Sequence, residues 1–142
     1  MLKINPLDYD LIIKIKDEND IVISRQMAKN FAQKLDFSLV DVTKIATAVS
    51  ELARNIYRYA KEGYIYIKKE TKANNPCIKI VATDEGPGIQ NVDQAIAGGF
   101  TTSEKSLGLG LSGVRRLMDD FYIHSEVGKG TTVIIEKRRR YL

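Results

Sequence analysis

Between Val42 and Tyr57 the apolar residues Val42, Ile45, Ala46, Val49, Leu52, Ala53, Ile56 and Tyr57 recur at helical spacing. No other segment constrains the fold as strongly, because a stripe this long must be covered by a second apolar layer. The helix should begin at Ser38 to Asp41 and end near Ala60, with Gly63 as its stop signal. Strand-like segments around it can supply the cover. Tyr9, Leu11, Ile13 and Ile15 alternate with polar residues, with Ile12 breaking the polar face, and Tyr64–Lys68 and Cys77–Thr83 flank a turn at Lys72 to Pro76. Tyr122–Ser125 and Thr131–Lys137 flank Gly128 to Gly130.

More helix is predicted on either side. After a charged turn at Asp17 to Asp20, Ser24 can cap a helix to about Leu35, with Met27, Ala28, Phe31, Ala32 and Leu35 on one face. Asn91 to Ala97 suits a short helix. Leu111 to Phe121 suits another, with Val114, Leu117, Met118 and Phe121 inward, and the Gly-, Ser- and Thr-rich run Gly98 to Gly110 before it suits a loop. The order β-α-α-β-β-(α)-α-β-β predicts an α+β fold, a two-layer sandwich whose mixed, mostly antiparallel sheet carries helices on one face.

Composition narrows the class. A length of 142 residues, 44% hydrophobic and 28% charged, fits a single globular domain over residues 1–142. No apolar run approaches the roughly 18 residues of a membrane span, and the N-terminus lacks a secretory pattern, so a cytoplasmic protein without membrane contact is expected. The single cysteine, Cys77, lies in an apolar run and reads as a buried thiol. The net charge of +4 equals the four charges of Lys137 to Arg140, so residues 137–142 read as a solvated basic tail. Without zinc-finger spacing or a basic-aromatic strand, no nucleic-acid partner is expected.

Three polar constellations carry chemistry. Glu51 and Asn55 are one turn apart on the long helix and share a face. An amide oxygen beside a carboxylate suits Mg²⁺, which takes few protein ligands and keeps water and phosphate oxygens, with Asn55 as ligand and Glu51 orienting or deprotonating a nucleophile. Arg54 and Arg58 flank them, within reach of phosphates; the plain alternative is a polar helix face making surface pairs. Asp84 ends an apolar strand and opens Asp84-x-Gly86-x-Gly88, where a carboxylate can accept from an exocyclic amine such as adenine N6; otherwise it is a tight turn helped by Pro87. Gly108-Leu-Gly110 opens a helix, whose free N–H groups favour anions.

Two motif matches fail on context. Gly108 to Gly113 fits the dinucleotide fingerprint by letter but follows a polar loop rather than a strand. Gly128-Lys-Gly-Thr131 would need glycine at position 123 to be a P-loop, and Ile123 stands there.

Taken in order, Ser50-Glu-Leu-Ala-Arg-Asn55, Asp84-Glu-Gly-Pro-Gly-Ile89 and Gly108-Leu-Gly-Leu-Ser-Gly-Val-Arg-Arg-Leu-Met118 resemble the N, G1 and G2 boxes of a GHKL-type (Bergerat-fold) ATP site. The chain resembles in particular the small serine/threonine-protein kinases of bacterial sigma-factor partner switching, most of all the RsbT-type switch kinases of the stressosome. The likeness runs from about Ile21 to Val133 and includes Gly99-Phe-Thr-Thr-Ser103 and Met118-Asp-Asp-Phe121.

The resemblance implies ATP and Mg²⁺ as cofactors. It makes Glu51 the general base, Asn55 the magnesium ligand and Arg58 a phosphate contact. Asp84 becomes the adenine reader, with Gly86 and Gly88 shaping its pocket. Gly98 to Leu107 becomes the ATP lid, with Gly99, Thr101 and Thr102 at the nucleotide and Lys105 without an assigned role. Gly108, Leu109 and Gly110 form the triphosphate turn, and Thr131 supports the adenine end.

The implied activity is phosphorylation of a Ser or Thr on STAS-domain partners. Release would then let the kinase activate a PP2C-type phosphatase. An anti-sigma factor that holds a sigma factor and phosphorylates its antagonist carries the same boxes. Either reading is compatible with a monomer or a weak homodimer. A histidine kinase would need a phosphoacceptor-histidine helix, and the one histidine, His124, lies in a predicted strand and reads as structural. Gyrase-, MutL- and chaperone-type ATPases carry further domains that 142 residues do not hold.

Overall fold

The computed structural model describes residues 3–97 and 110–140. Ser38 caps the long helix α2 (Leu39–Asn55), its Oγ accepting from Asp41 N at 3.1 Å. Val42, Ile45, Val49 and Leu52 turn into the core, together with the small residues Ala48 and Ala53. A π-helical turn, Ile56–Ala60, continues α2. It ends at Lys61 (φ 71°), so the stop lies two residues before Gly63, which already opens a strand.

The expected element order is observed. Strand β1 (Leu11–Ile15) leads into helix α1 (Asn19–Lys34) and then α2. The hairpin β2 (Gly63–Lys72) and β3 (Asn75–Asp84) follows, joined by Ala73 and Asn74, both in the left-handed region that suits the twist of a two-residue turn. Helices α3 (Val92–Ala97) and α4 (Gly110–Leu117) precede strands β4 (Asp120–Glu126) and β5 (Gly130–Arg138). The sheet order is β1-β2-β3-β5-β4, and every pairing is antiparallel. A mixed sheet is therefore not found among the described residues; the α+β sandwich is.

Residues paired across antiparallel strands share a face. Ile13, Ile65 and Ala82 lie on one such row, and Ile67, Ile80 and Ile135 on another, all buried beneath α1, α2 and α4. The opposite face is more open toward its edges. Ile12 is 47% exposed there, and Tyr66 stacks between Tyr9 (5.4 Å) and Tyr64 (6.0 Å). Cys77 is buried as expected, and burial with the Glu136 carboxylate pushes its thiol up to about 12.

Three expectations need correction. Helix α1 starts at Asn19, not at Ser24: Asp20 closes the preceding turn by accepting from Lys16 N (3.0 Å) and Asp17 N (2.9 Å), while Ser24 is buried in the helix and donates to Ile21 O. Helix α4 ends at Leu117, because Asp119 N donates to Glu136 O and the chain joins β5 as a strand. The basic run is not a free tail. Lys137 is buried and donates to Leu117 O at 3.0 Å, Arg138 pairs with Asp120 and Arg140 with Asp119 at 2.7 Å each, and Arg139 donates to Leu35 O at 2.9 Å.

Candidate active site

Asn55 is the last residue of α2, and Asp84 the last of β3. The sheet carries Asp84 to the same end as Gly63, Thr131 and Ser125, its row of partners on the helix-bearing face. Two close approaches fasten this end together. A Cβ on Gly86 would lie 2.5 Å from Ala60 Cβ, so the Asp84–Gly88 loop sits directly on the π-helical turn that follows Asn55. Gly88 (φ 77°) brings the loop onto the β4–β5 hairpin, where a Cβ would meet Glu126 O at 2.2 Å, and Gly128 N donates to Pro87 O. The end of α2 and the loop after β3 are thus one packed unit.

Within it, Asp84 Oδ1 accepts from Gly86 N at 2.9 Å. Burial pushes the Asp84 carboxyl above its ordinary range, against the opposing pull of backbone N–H groups at Gly86 and Thr131. A half-buried acceptor at the base of a glycine turn is suited to an amine donor. Thr131 shares a 2.8 Å hydrogen bond with Ser125, whose Oγ also accepts from Ile89 N at 2.8 Å and donates to Gly130 O at 3.1 Å. Sequence reasoning missed Ser125; only the β4–β5 register places it beside Thr131.

Glu51 is buried and Asn55 half-buried, one turn apart as expected. Among the described residues the Asn55 amide makes no hydrogen bond, so its oxygen is uncommitted. That suits a hard cation that takes most of its ligands from water and phosphate, and the residues present fit Mg²⁺ in this respect. Arg58 is exposed on the π-helical turn, without an ion partner among the described residues. Arg54 is engaged instead with Glu51: Nη1 donates to Oε1 at 2.6 Å. Of the two readings of Arg54, phosphate contact or a pair on the helix face, the structure shows the pair, with the arginine turned back onto the carboxylate at i, i+3. Gly110 (φ 62°) opens α4, which packs on α2. The segment expected as the lid, Gly98 to Leu107 with Gly99, Thr101, Thr102 and Lys105, lies outside the described residues, as do Gly108 and Leu109.

A half-buried acceptor at the end of β3, and an uncommitted amide with a buried carboxylate one turn back near the end of α2, make this end of the sandwich the candidate site. Comparison with known proteins agrees. The model of the histidine kinase-, DNA gyrase B- and HSP90-like ATPases matches residues 40–140. Serine/threonine-protein kinase RsbT of Bacillus subtilis is 46% identical over 85% of this chain and 90% of its own. An anti-sigma F factor of Thermoanaerobacter is 33% identical over 94% of this chain and 93% of its own. In fold, the crystal structure of the RsbU and RsbW domains of a Mycobacterium tuberculosis protein superposes with a TM-score of 0.59 at 15% identity, over 92% of this chain and 33% of that longer one. The chain belongs to this ATPase family and, within it, to the group of small serine/threonine-protein kinases and anti-sigma factors. Among the described residues no helix is long and apolar enough to cross a membrane.

Proposed function

We propose that the chain is an Mg·ATP-dependent serine/threonine-protein kinase whose acceptors are STAS-domain proteins of a sigma-factor partner-switching pathway. The observation that supports this reading is the packing of the Asp84–Gly88 loop on the turn that follows Asn55, with Glu51 one turn back on the same helix, in a chain 46% identical to a named serine/threonine-protein kinase. Asp84 accepts from the adenine amine, with Gly86 and Gly88 admitting the base and Thr131 supporting it. Asn55 holds Mg²⁺, which when bound neutralises phosphate charge and orients the γ-phosphoryl group. Arg58 and the turn Gly108 to Gly110 would meet the phosphates, with Gly99, Thr101 and Thr102 at the nucleotide. Glu51 takes the proton of the acceptor hydroxyl as it attacks, and the site contributes positioning more than covalent chemistry.

The phosphorylated partner gains about 1.5 to 2 negative charges at its surface. That change weakens its hold on the kinase, which then binds and activates a PP2C-type phosphatase. The test is transfer from γ-labelled Mg·ATP to each STAS-domain protein of the host, with Asn55→Ala as control. Label on one serine or threonine, lost in the variant, is the expected result; ATP binding without any transfer would overturn the reading.

A second reading has its own support, because relatives 32% to 33% identical over 94% of this chain are named anti-sigma F factors. On that reading the chain also holds a sigma factor. Capture from host lysate followed by mass spectrometry separates the two: phosphatase supports the first, sigma factor the second.

A further inference from the structure

The Glu51 carboxylate is 10% exposed, and its contact with Arg54 is its one hydrogen bond among the described residues. The bond uses one oxygen only: Nη1 donates to Oε1 at 2.6 Å, and among the described residues no donor reaches Oε2, which is not sealed off as a buried orphan. The Arg54 side chain is 37% exposed, more open to solvent than its partner. The pair is internal to α2 at i, i+3 and is formed without ligand. A charge-assisted bond of this length is among the strong ones, and arginine's planar fork fixes direction where lysine offers a point charge.

These observations split the carboxylate into a held oxygen and an open one. We propose that Arg54 is a positioning residue for Glu51: its guanidinium fixes Oε1 and leaves Oε2 as the oxygen that takes the proton of the acceptor hydroxyl. In the step it serves, the hydroxyl oxygen bonds to the γ-phosphorus while its proton passes to Oε2. The bond from phosphorus to the β-phosphate oxygen breaks, and ADP leaves with that electron pair. A carboxylate with both oxygens free would sample several rotamers, and only some would place an oxygen toward the hydroxyl. The inference rests on the kinase reading above and deepens it.

The test compares wild type, Arg54→Ala, Arg54→Lys, Glu51→Gln and the double variant Glu51→Gln/Arg54→Ala in single-turnover phosphotransfer at saturating Mg·ATP. Arg54→Ala should lower the transfer rate about tenfold to a hundredfold, less than the 10²–10⁴ that a general base contributes. Its affinity for Mg·ATP should stay within about twofold of wild type, because Arg54 acts through Glu51 and not on the phosphates. Ethylguanidinium in solution should restore part of the Arg54→Ala rate and none of the Glu51→Gln rate, and Arg54→Lys should fall between Arg54→Ala and wild type. In the Glu51→Gln background, removing Arg54 should cost nothing further.

Wild-type transfer by Arg54→Ala would overturn the inference while leaving the kinase reading standing. So would additive losses in the double variant, or loss of ATP affinity in step with rate. A wild type that transfers phosphoryl to no partner would remove the kinase reading and this inference with it. In parallel, ¹⁵N spectra of folded wild type should show hindered rotation of the Arg54 guanidinium that is released in Glu51→Gln; a freely rotating guanidinium in wild type would sink the proposal without any assay of activity.

Discussion

Asp84 sets a need of the site against a preference of the fold. Its carboxyl lies above the ordinary aspartate range because burial disfavours the charge. A carboxyl raised in this way stabilises the folded state when protonated. That contribution is complete below the ordinary aspartate range and is lost as the pH rises through the raised value, so at neutral pH the charge weighs against folding. Asp84→Asn keeps an oxygen for Gly86 N and removes the charge. Its thermal midpoint at pH 7 should therefore exceed that of wild type, with the gain shrinking as the pH is lowered. Its ATP affinity should fall roughly 10- to 100-fold, as expected for losing about 1.5–3 kcal/mol of hydrogen bonding to a charged group. A lower midpoint at pH 7 would show that the carboxylate is a structural asset. Gly86→Ala tests the neighbouring contact. The new methyl would sit 2.5 Å from Ala60 Cβ and 2.9 Å from Ala60 Cα, so the loop must shift, and calorimetry should find ATP binding weakened at least tenfold in a protein that still unfolds cooperatively. Ala60→Gly in the same chain should recover part of it, and an undiminished affinity in Gly86→Ala would mean that the loop tolerates the shift.

The C-terminal strand shows how elements settle what a charge count leaves open. Four consecutive cations suggest a solvated tail, but strand alternation sends Lys137 to the helix-bearing face and Arg138 to the other. Lys137 then meets Leu117 O at the end of α4 and Asp41 at 3.8 Å near the start of α2. Lys137→Met should lower stability by about 1–3 kcal/mol, read as a lower denaturant midpoint with an unchanged slope, since it leaves Asp41 and a carbonyl oxygen unpaired. An unchanged midpoint would restore the tail reading. Helix α2 was legible because sixteen residues keep one period and Ser38 supplies its cap. The end of α4 was not: Phe121 fits both a helical stripe and, with Ile123, an alternating strand, and pairing with β5 decides the matter. The start of α1 was hidden for another reason. Ser24 is a good cap by type, yet Asp20 takes the preceding N–H groups and the serine hydroxyl satisfies itself within the helix.

At the scale of the molecule, the site belongs to no single element. In the proposed site the helix would contribute Glu51 and Asn55 and the sheet Asp84 and Thr131, and the close approach of Gly86 to Ala60 binds the two layers at that end. The three polar constellations could be read from the sequence because each is local. The Glu51–Arg54 pair was within reach of the same reading, since its spacing was known, but i, i+3 neighbours give no sign of whether an arginine turns inward or toward a ligand. Ser125 was beyond reach, because it needs the strand register. If the two layers close one nucleotide site, Mg·ATP should raise the thermal midpoint of the whole chain in proportion to the logarithm of its concentration, and should do so much less in Asn55→Ala. An equal shift in that variant would remove Asn55 from the binding site. The claim on which the account depends is that the Glu51 face of α2 performs phosphoryl transfer. The most direct measurement is the single-turnover rate of transfer from bound Mg·ATP to a STAS-domain acceptor, in wild type and in Glu51→Gln with matched ATP occupancy. Glu51→Gln should lose about 10²–10⁴ in rate with ATP affinity retained. Transfer at the wild-type rate by Glu51→Gln would contradict that claim.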